Sequence, residues 1–244
     1  MNSIVVRIEE YLDSTYLKLP EEIGISVEET EIIINKIIEE GIASNFACVM
    51  IRPNFVSKAV EKIQTSKSKL KVGTVIDFPF GNSSTEKKIE EAEEAISNGA
   101  YDIDFVCDYN SFKRGSFVKF DADIIEGTKI CVENKKITKW IIETGALSKD
   151  EIRNISKRIT KIIQSKFPKY ASKVFIKTST GYYGGYGATI KDVKLIKSVS
   201  GNLKIKASGG ISNLTDTKAM IKAGADRIGT SKAQLIYNEK VKNK

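Results

Sequence analysis

The chain is predicted to fold as an α/β protein, a (β/α)8 TIM barrel in which residues 1–244 form one domain. Three observations predict it. Strand-like and helix-like stretches alternate from end to end. No Pro/Gly/Ser-rich linker interrupts them, and only 4 prolines occur in the whole chain. A helix–glycine–strand device also echoes itself, as NGAYDI at 98–103 and AGADRI at 223–228.

Strands are expected at Tyr11–Asp13, Ala47–Ile51, Lys71–Ile76, Ile103–Cys107, Lys139–Glu143, Val174–Lys177, Lys204–Ala207 and Arg227–Gly229, mostly separated by helix-sized segments. The unit after the third strand is the clearest. Ser83 and Glu86 have capping-box spacing, and Ile89, Ala92, Ala95 and Ile96 line one helical face. Asn98-Gly99 ends that helix, because glycine takes the left-handed conformation at low cost. Ala219, Met220 and Ala223 mark a later helix stopped by Gly224. Trp140 is assigned to helix–strand packing. Strand then helix, repeated, calls for a parallel sheet with right-handed crossovers, and eight such units close into a barrel. An open doubly wound sheet is the alternative, but no G-x-G-x-x-G turn follows an early strand.

Composition excludes much chemistry. There is no histidine, so Ser-His-Asp and Cys-His nucleophile systems, His-ligated zinc and imidazole acid–base catalysis cannot operate. Lys+Arg number 39 against 31 Asp+Glu, for a net charge of +8. Many lysines alternate with glutamates, as in TEKKIEEAEEA, and no basic run interleaves with aromatics, so no nucleic-acid partner is expected. A modest positive field suits a small phosphorylated substrate instead. Cys48, Cys107 and Cys131 are odd in number and lack CxxC spacing, which argues for a reducing cytoplasm without disulfides or structural zinc. The opening MNSIVVRIEEYLDS meets Glu9 and Glu10 too early for a secretory leader, and no apolar run reaches membrane-spanning length.

In a barrel, residues where strands lead into βα loops form the active face. Asp13, Asp104, Glu143, Lys177 and Lys206 fall at those positions. Two lysines on separate strands, each followed by small residues (KTSTG and KASGG), would crowd two ammonium groups together. Like charges disfavour joint protonation, so one amine becomes neutral and can attack a carbonyl to form a Schiff base. The protonated imine is an electron sink that allows carbon–carbon bond cleavage with no metal and no cofactor. Asp104 could move protons, directly or through water. These residues alone leave open which lysine is the nucleophile. Gly209-Gly210 and Gly229-Thr230-Ser231-Lys232 follow the seventh and eighth strands, where this fold usually cradles phosphate. Lys204 shares a strand face with Lys206 and is placed at the lower rim.

The segments FIKTSTGYYGGYGAT, IKASGGISNLTDTKAMIKAGADRIGTS, TVIDFPFGNSSTEKKIEEAEEAISNGAYDIDFV and WIIETGALS together resemble the deoxyribose-phosphate aldolase family, from about YLDSTYLK through RIGTS. The resemblance implies a metal-free class I aldolase on a (β/α)8 barrel. Such an enzyme reversibly cleaves 2-deoxy-D-ribose 5-phosphate to D-glyceraldehyde 3-phosphate and acetaldehyde. It implies Lys177 as the Schiff-base nucleophile, Lys206 as the lysine that depresses its pKa, and Asp104 as the acid/base partner. Asp13 and Lys18, in LDSTYLK, match a substrate-binding segment, and Gly181, Gly209, Gly210 and Ser231 fall where the family grips phosphate. Cys48, in FACVMIRP, lies near a strand end where the family often has a site-lining cysteine, although the residue alone reads as a small buried apolar group. The chain departs from the pattern at Ser14 (a histidine), Asp108 (an asparagine, so a negative charge is added near the site), Gly145 (a cysteine) and Lys232 (a small residue). The loop YYGGYGAT is also about one residue longer. Rival readings are a Schiff-base aldolase for another phosphorylated sugar, a sugar-phosphate isomerase, and a non-catalytic sugar-phosphate-binding barrel. Homo-oligomerisation is left open.

Overall fold

Strands pair in chain order and close on themselves in the computed structural model. They are β1 (Leu12–Thr15), β2 (Cys48–Ile51), β3 (Lys71–Ile76), β4 (Asp102–Val106), β5 (Ile137–Ile141), β6 (Val174–Lys177), β7 (Lys204–Ser208) and β8 (Arg227–Thr230), all parallel, with β8 beside β1. The crossover helices are α1 (Val27–Ser44), α2 (Val56–Thr65), α3 (Thr85–Ser97), α4 (Phe117–Glu133), α5 (Lys149–Lys166), α6 (Ile190–Lys197) and α7 (Leu214–Ala223), and α8 (Ala233–Lys242) follows β8. This is the expected (β/α)8 TIM barrel. The structure describes residues 7–242; part of the segment read for a leader, residues 1–6, lies outside them. Among the described residues no helix is long and apolar enough to cross a membrane.

Successive strand residues point to opposite sides of the sheet, so each strand serves two environments. Val49, Ile51, Ile103, Phe105, Trp140, Ile176, Ile205 and Ile228 belong to the large apolar layer shared with the helices. Trp140 is fully buried there, stacked on Phe105 with ring centroids 4.7 Å apart, and its indole N–H donates to Thr128 Oγ1 at 3.1 Å. Inside the barrel, Leu17, Cys48, Met50 and Val75 make only a small separate apolar cluster. Beside them, and beside inward-facing Val106, Ile141 and Phe175, the interior carries buried or nearly buried charged side chains from β1, β4, β5, β6, β7 and β8.

Local differences from the expected elements have simple causes. β1 starts at Leu12, because Ile8–Tyr11 forms a 3-10 turn. β5 lies two residues earlier than expected, since Glu143 takes φ 56° and ends extended structure. Ser83 does not cap α3. Its amide and hydroxyl both donate to Asp77 at 2.8 Å, and Ser84 caps instead by accepting from the Lys87 amide. Gly99 and Gly224 do stop α3 and α7, with φ of 95° and 115°.

Candidate active site

The parallel register sets two pairs of polar residues side by side. Lys177, the last residue of β6, lies opposite Lys206 in the middle of β7, and Asp104 on β4 lies opposite Lys139 on β5. Asp104 is fully buried and is the hub. Its Oδ2 accepts from Lys177 and from Lys206, at 3.0 Å each, while its Oδ1 accepts from Lys139 at 2.8 Å. Below it, Lys139 reaches Asp102 at 2.6 Å and Lys206 reaches Asp13 at 2.7 Å. The Arg227 guanidinium bridges Asp13 and Asp102 at 2.8 and 2.7 Å. Four cationic groups therefore face three fully buried carboxylates, with solvent reaching only the edge of Arg227, 12% exposed, and the cleft-facing tip of Lys177.

Removing an ion from water costs several kcal/mol unless a partner offsets it, so the odd cation is under pressure to lose its proton. Burial, the largest influence, lowers the Lys177 pKa to about 8; Asp104 opposes that shift and Lys206 adds to it. The expected role of the twin ammonium is thus corrected in emphasis: desolvation does more than Lys206. Asp104 is itself disfavoured as an anion by burial, yet Lys139, Lys206 and Lys177 together hold it well below the ordinary carboxylate range. Lys139 and Arg227 also lose hydration on burial, but their aspartate partners push both upward. Lys177 is the amine most readily made neutral.

Of these residues only Lys177 reaches the mouth of the barrel, where it lines a cleft of about 320 Å³. Lys18, Gly181, Gly209, Gly210 and Ser231 also line it, together with Tyr182 and Lys232. Gly181, Gly209 and Gly210 have φ of 85°, 91° and 75°, backbone that residues with a side chain rarely adopt. Lys206 and Asp104 lie beneath the cleft rather than at strand ends. Two expected substrate contacts are corrected. Asp13 does not line the cleft but is fully buried beneath Lys206. Cys48 opens β2, so it lies at the lower end of its strand, against Met50, where burial and two aspartates push its thiol pKa up. Asp13, Cys48 and Asp102 could bring ligand atoms within 4.8 Å of one another. The Lys206, Lys139 and Arg227 head groups already hold those aspartates, so the cluster does not suit a metal ion.

Among curated proteins, the chain is 43% identical to deoxyribose-phosphate aldolase of Staphylococcus saprophyticus over 222 residues, 91% of each chain. It is 41% identical to deoxyribose-phosphate aldolase 1 of Staphylococcus aureus strain MRSA252 over 227 residues, 93% of each chain. The chain belongs to the deoxyribose-phosphate aldolase family. No family model matches. Among solved structures, the aldolase QR15 superposes with a TM-score of 0.80 at 35% identity, covering 99% of this chain and 98% of that one. The deoxyribose phosphate aldolase of Aeropyrum pernix, a tetramer by its description, shares the fold with a TM-score of 0.79 at 23% identity over 97% and 92% of the two chains.

The departures from the deoxyribose-phosphate aldolase pattern acquire physical meaning in this frame. Asp108 does not add free charge to the site. It caps the turn at Tyr109–Lys113, accepting from the Ser111 amide at 2.8 Å, and pairs with Lys119 at 2.9 Å. Ser14 is buried on β1 beside inward-facing Asp13, so alternation turns it towards the helices. Gly145 gives space: a Cβ there would lie 2.6 Å from the Cβ of Tyr186. The longer loop after β6 uses that space. Tyr182 donates its hydroxyl to the Leu17 carbonyl at 2.9 Å and packs edge-on to Phe78. Glu143 ties down the base of the same loop by accepting from the Thr180 amide at 3.1 Å and from its hydroxyl.

Lys139, Asp102 and Arg227 escaped the sequence reading as functional residues. The available signal was period-two spacing, which puts Asp102 on the face of Asp104.

Proposed function

We propose that this protein is a class I aldolase that reversibly cleaves 2-deoxy-D-ribose 5-phosphate to D-glyceraldehyde 3-phosphate and acetaldehyde. The observation that carries the reading is the Lys177 amine, which alone among the interior cations reaches the cleft and has a pKa lowered to about 8. At pH 7 about a tenth of such amines are neutral, roughly 300-fold more than for an ordinary lysine.

Neutral Lys177 attacks C1 of the open-chain sugar phosphate. Lys206 and Asp104 pass protons as the carbinolamine loses water, leaving a protonated imine. Loss of the C3 hydroxyl proton then lets the C2–C3 bond break. Its electron pair moves into the imine to give an enamine, and C3 departs as the aldehyde of glyceraldehyde 3-phosphate. Protonation at C2 and hydrolysis release acetaldehyde and return the amine. Asp104 can serve this exchange because one of its oxygens touches both lysines at 3.0 Å. Lys139 and the Asp102–Arg227–Asp13 bridge act from below as positioning groups for Asp104 and Lys206.

The substrate class follows from the cleft, whose lining carries three lysines and no carboxylate. The glycine turn after β7 and the start of α8 after β8 offer backbone N–H groups to the phosphate, with Ser231 as a hydroxyl donor. The whole chain works as one aldolase domain on a small sugar phosphate. Three buried free cysteines support a reducing, cytoplasmic setting. A homo-oligomer is part of the proposal, supported by the tetrameric Aeropyrum relative, and light scattering tests it. Borohydride reduction in the presence of deoxyribose 5-phosphate, followed by peptide mapping, should place the stable adduct on Lys177. A label on another lysine, or none, would overturn the reading.

A further inference from the structure

Two of the three cleft lysines, Lys18 and Lys232, stand outside the buried charge network. Lys232 immediately precedes α8, at its N-cap position, and follows Ser231. Its amide donates to Thr230 Oγ1 at 2.9 Å and its carbonyl accepts from the Ile236 amide at 3.0 Å, so its backbone is fixed at the helix N-terminus. Its side chain is exposed and has no ion pair or hydrogen bond among the described residues. A fixed backbone, a free ammonium and a cleft wall without carboxylates form an anion subsite with a full charge still to spend.

We propose that the Lys232 ammonium is a specificity-determining contact for the phosphoryl group, selecting phosphorylated over free sugar in this cleft. The proposal rests on the aldolase reading and assigns a residue beyond the backbone cradle. The reason is electrostatic. A phosphate monoester carries about 1.5–2 negative charges at pH 7, whereas a helix N-terminus offers only about half a positive charge. Backbone N–H groups can saturate the phosphate oxygens with hydrogen bonds and still leave most of the charge uncompensated. Lysine suits the remainder, because its flexible stem carries a compact charge that stays hydrated until the anion arrives. No carboxylate in the lining competes for it. Lys18 approaches from the loop after β1, the strand next to β8, and is the second rim cation. Lys232 has the better position, directly at the α8 N-terminus and beside the Ser231 hydroxyl.

The test uses Lys232→Ser and Lys232→Arg in the full chain, with inorganic phosphate as the calorimetric probe and deoxyribose 5-phosphate and deoxyribose as kinetic substrates. Lys232→Ser should weaken phosphate binding about five- to twentyfold, as expected for one lost charge-assisted contact at an exposed rim. The preference in kcat/KM for deoxyribose 5-phosphate over deoxyribose should fall by the same factor, chiefly through KM. Lys232→Arg should restore both, and added salt should narrow the gap between wild type and Lys232→Ser. Unchanged phosphate affinity in Lys232→Ser would overturn the proposal, as would an equal loss on both sugars. A wild type that binds phosphate yet cleaves no deoxyribose 5-phosphate would refute the aldolase reading instead, and the phosphate titration would still decide the role of Lys232.

Discussion

Replacing Lys177 by methionine should abolish turnover and, at neutral pH, stabilise the protein. Lys177 is the cation that the interior tolerates least, its pKa falling from an ordinary 10.5 to about 8, mainly through burial. Below pH 8 the folded state must hold a proton it disfavours. Between about 8 and 10.5 it has shed that proton while the unfolded chain keeps its own. The unfolded state binds more protons in this window, so the Lys177 contribution to stability rises with pH across it. The displacement amounts to roughly 3 kcal/mol of penalty at pH 7, falling to less than half of that by about pH 9.5. Methionine keeps an unbranched apolar stem and leaves three cations facing three carboxylates. Asp104 Oδ2 keeps its bond from Lys206 at 3.0 Å, so no acceptor is orphaned. Allowing for the lost bond to Asp104, Lys177→Met should gain about 1–3 kcal/mol at pH 7, or about 3–9 °C in Tm for a chain of this size. Urea unfolding of both proteins at pH 7 and pH 9.5 measures the gain and its decline. A variant less stable than wild type at pH 7, or a gain indifferent to pH, would refute the assignment of the surplus charge to Lys177.

Four further outcomes are expected. Asp104→Asn should cost about 10²–10⁴ in kcat, yet pH-dependent amine modification should find Lys177 neutral at lower pH, because Asp104 raises its pKa. Lys88 is buried on α3, bound to Asp123 at 2.6 Å and to the Gly81 and Val106 carbonyls at 2.9 and 3.2 Å. Lys88→Ala should therefore lose about 1–3 kcal/mol in urea unfolding, because Asp123 keeps only the Thr85 hydroxyl at 2.5 Å and a longer contact to Lys119 at 3.4 Å. Gly145→Ala forces a methyl towards the Tyr186 Cβ, 2.6 Å away, and should raise KM by displacing the loop after β6 while Tm moves little. Cys48→Ala should leave kcat/KM within about threefold, and Ellman's reagent should find the native thiol inert, since it is fully buried and hard to ionise.

What the sequence made legible is what repeats or lies close in the chain. Glycine stops after α3 and α7, helix faces and apolar strands are local signals, and together they specify the barrel. KTSTG and KASGG announced Lys177 and Lys206 for the same reason, since the strand ends at Lys177 on β6 and two residues beyond Lys206 on β7, where Gly209-Gly210 turns at the mouth of the barrel. Cys48 shows where the resemblance misleads and the local signal does not. The expected strand Ala47–Ile51 already puts Cys48 at its start, as the structure does, and in a parallel barrel that alone separates floor from mouth.

The rest of the site depends on cross-strand register, which no local signal carries. Arg227 meets Asp102 across 125 residues, and Lys206 meets Asp104 across 102. Each of these residues, taken singly, reads as a charge at a strand edge. Only the closed register reveals that four cations and three carboxylates share one interior, so the proton deficit that makes Lys177 a nucleophile is a property of the whole set. A search for this chemistry in other barrels should therefore count inward-facing charges over every strand. A lysine pair matched by an equal number of buried carboxylates, and less deeply buried, would be held towards the protonated form, its motif intact while its chemistry was weakened.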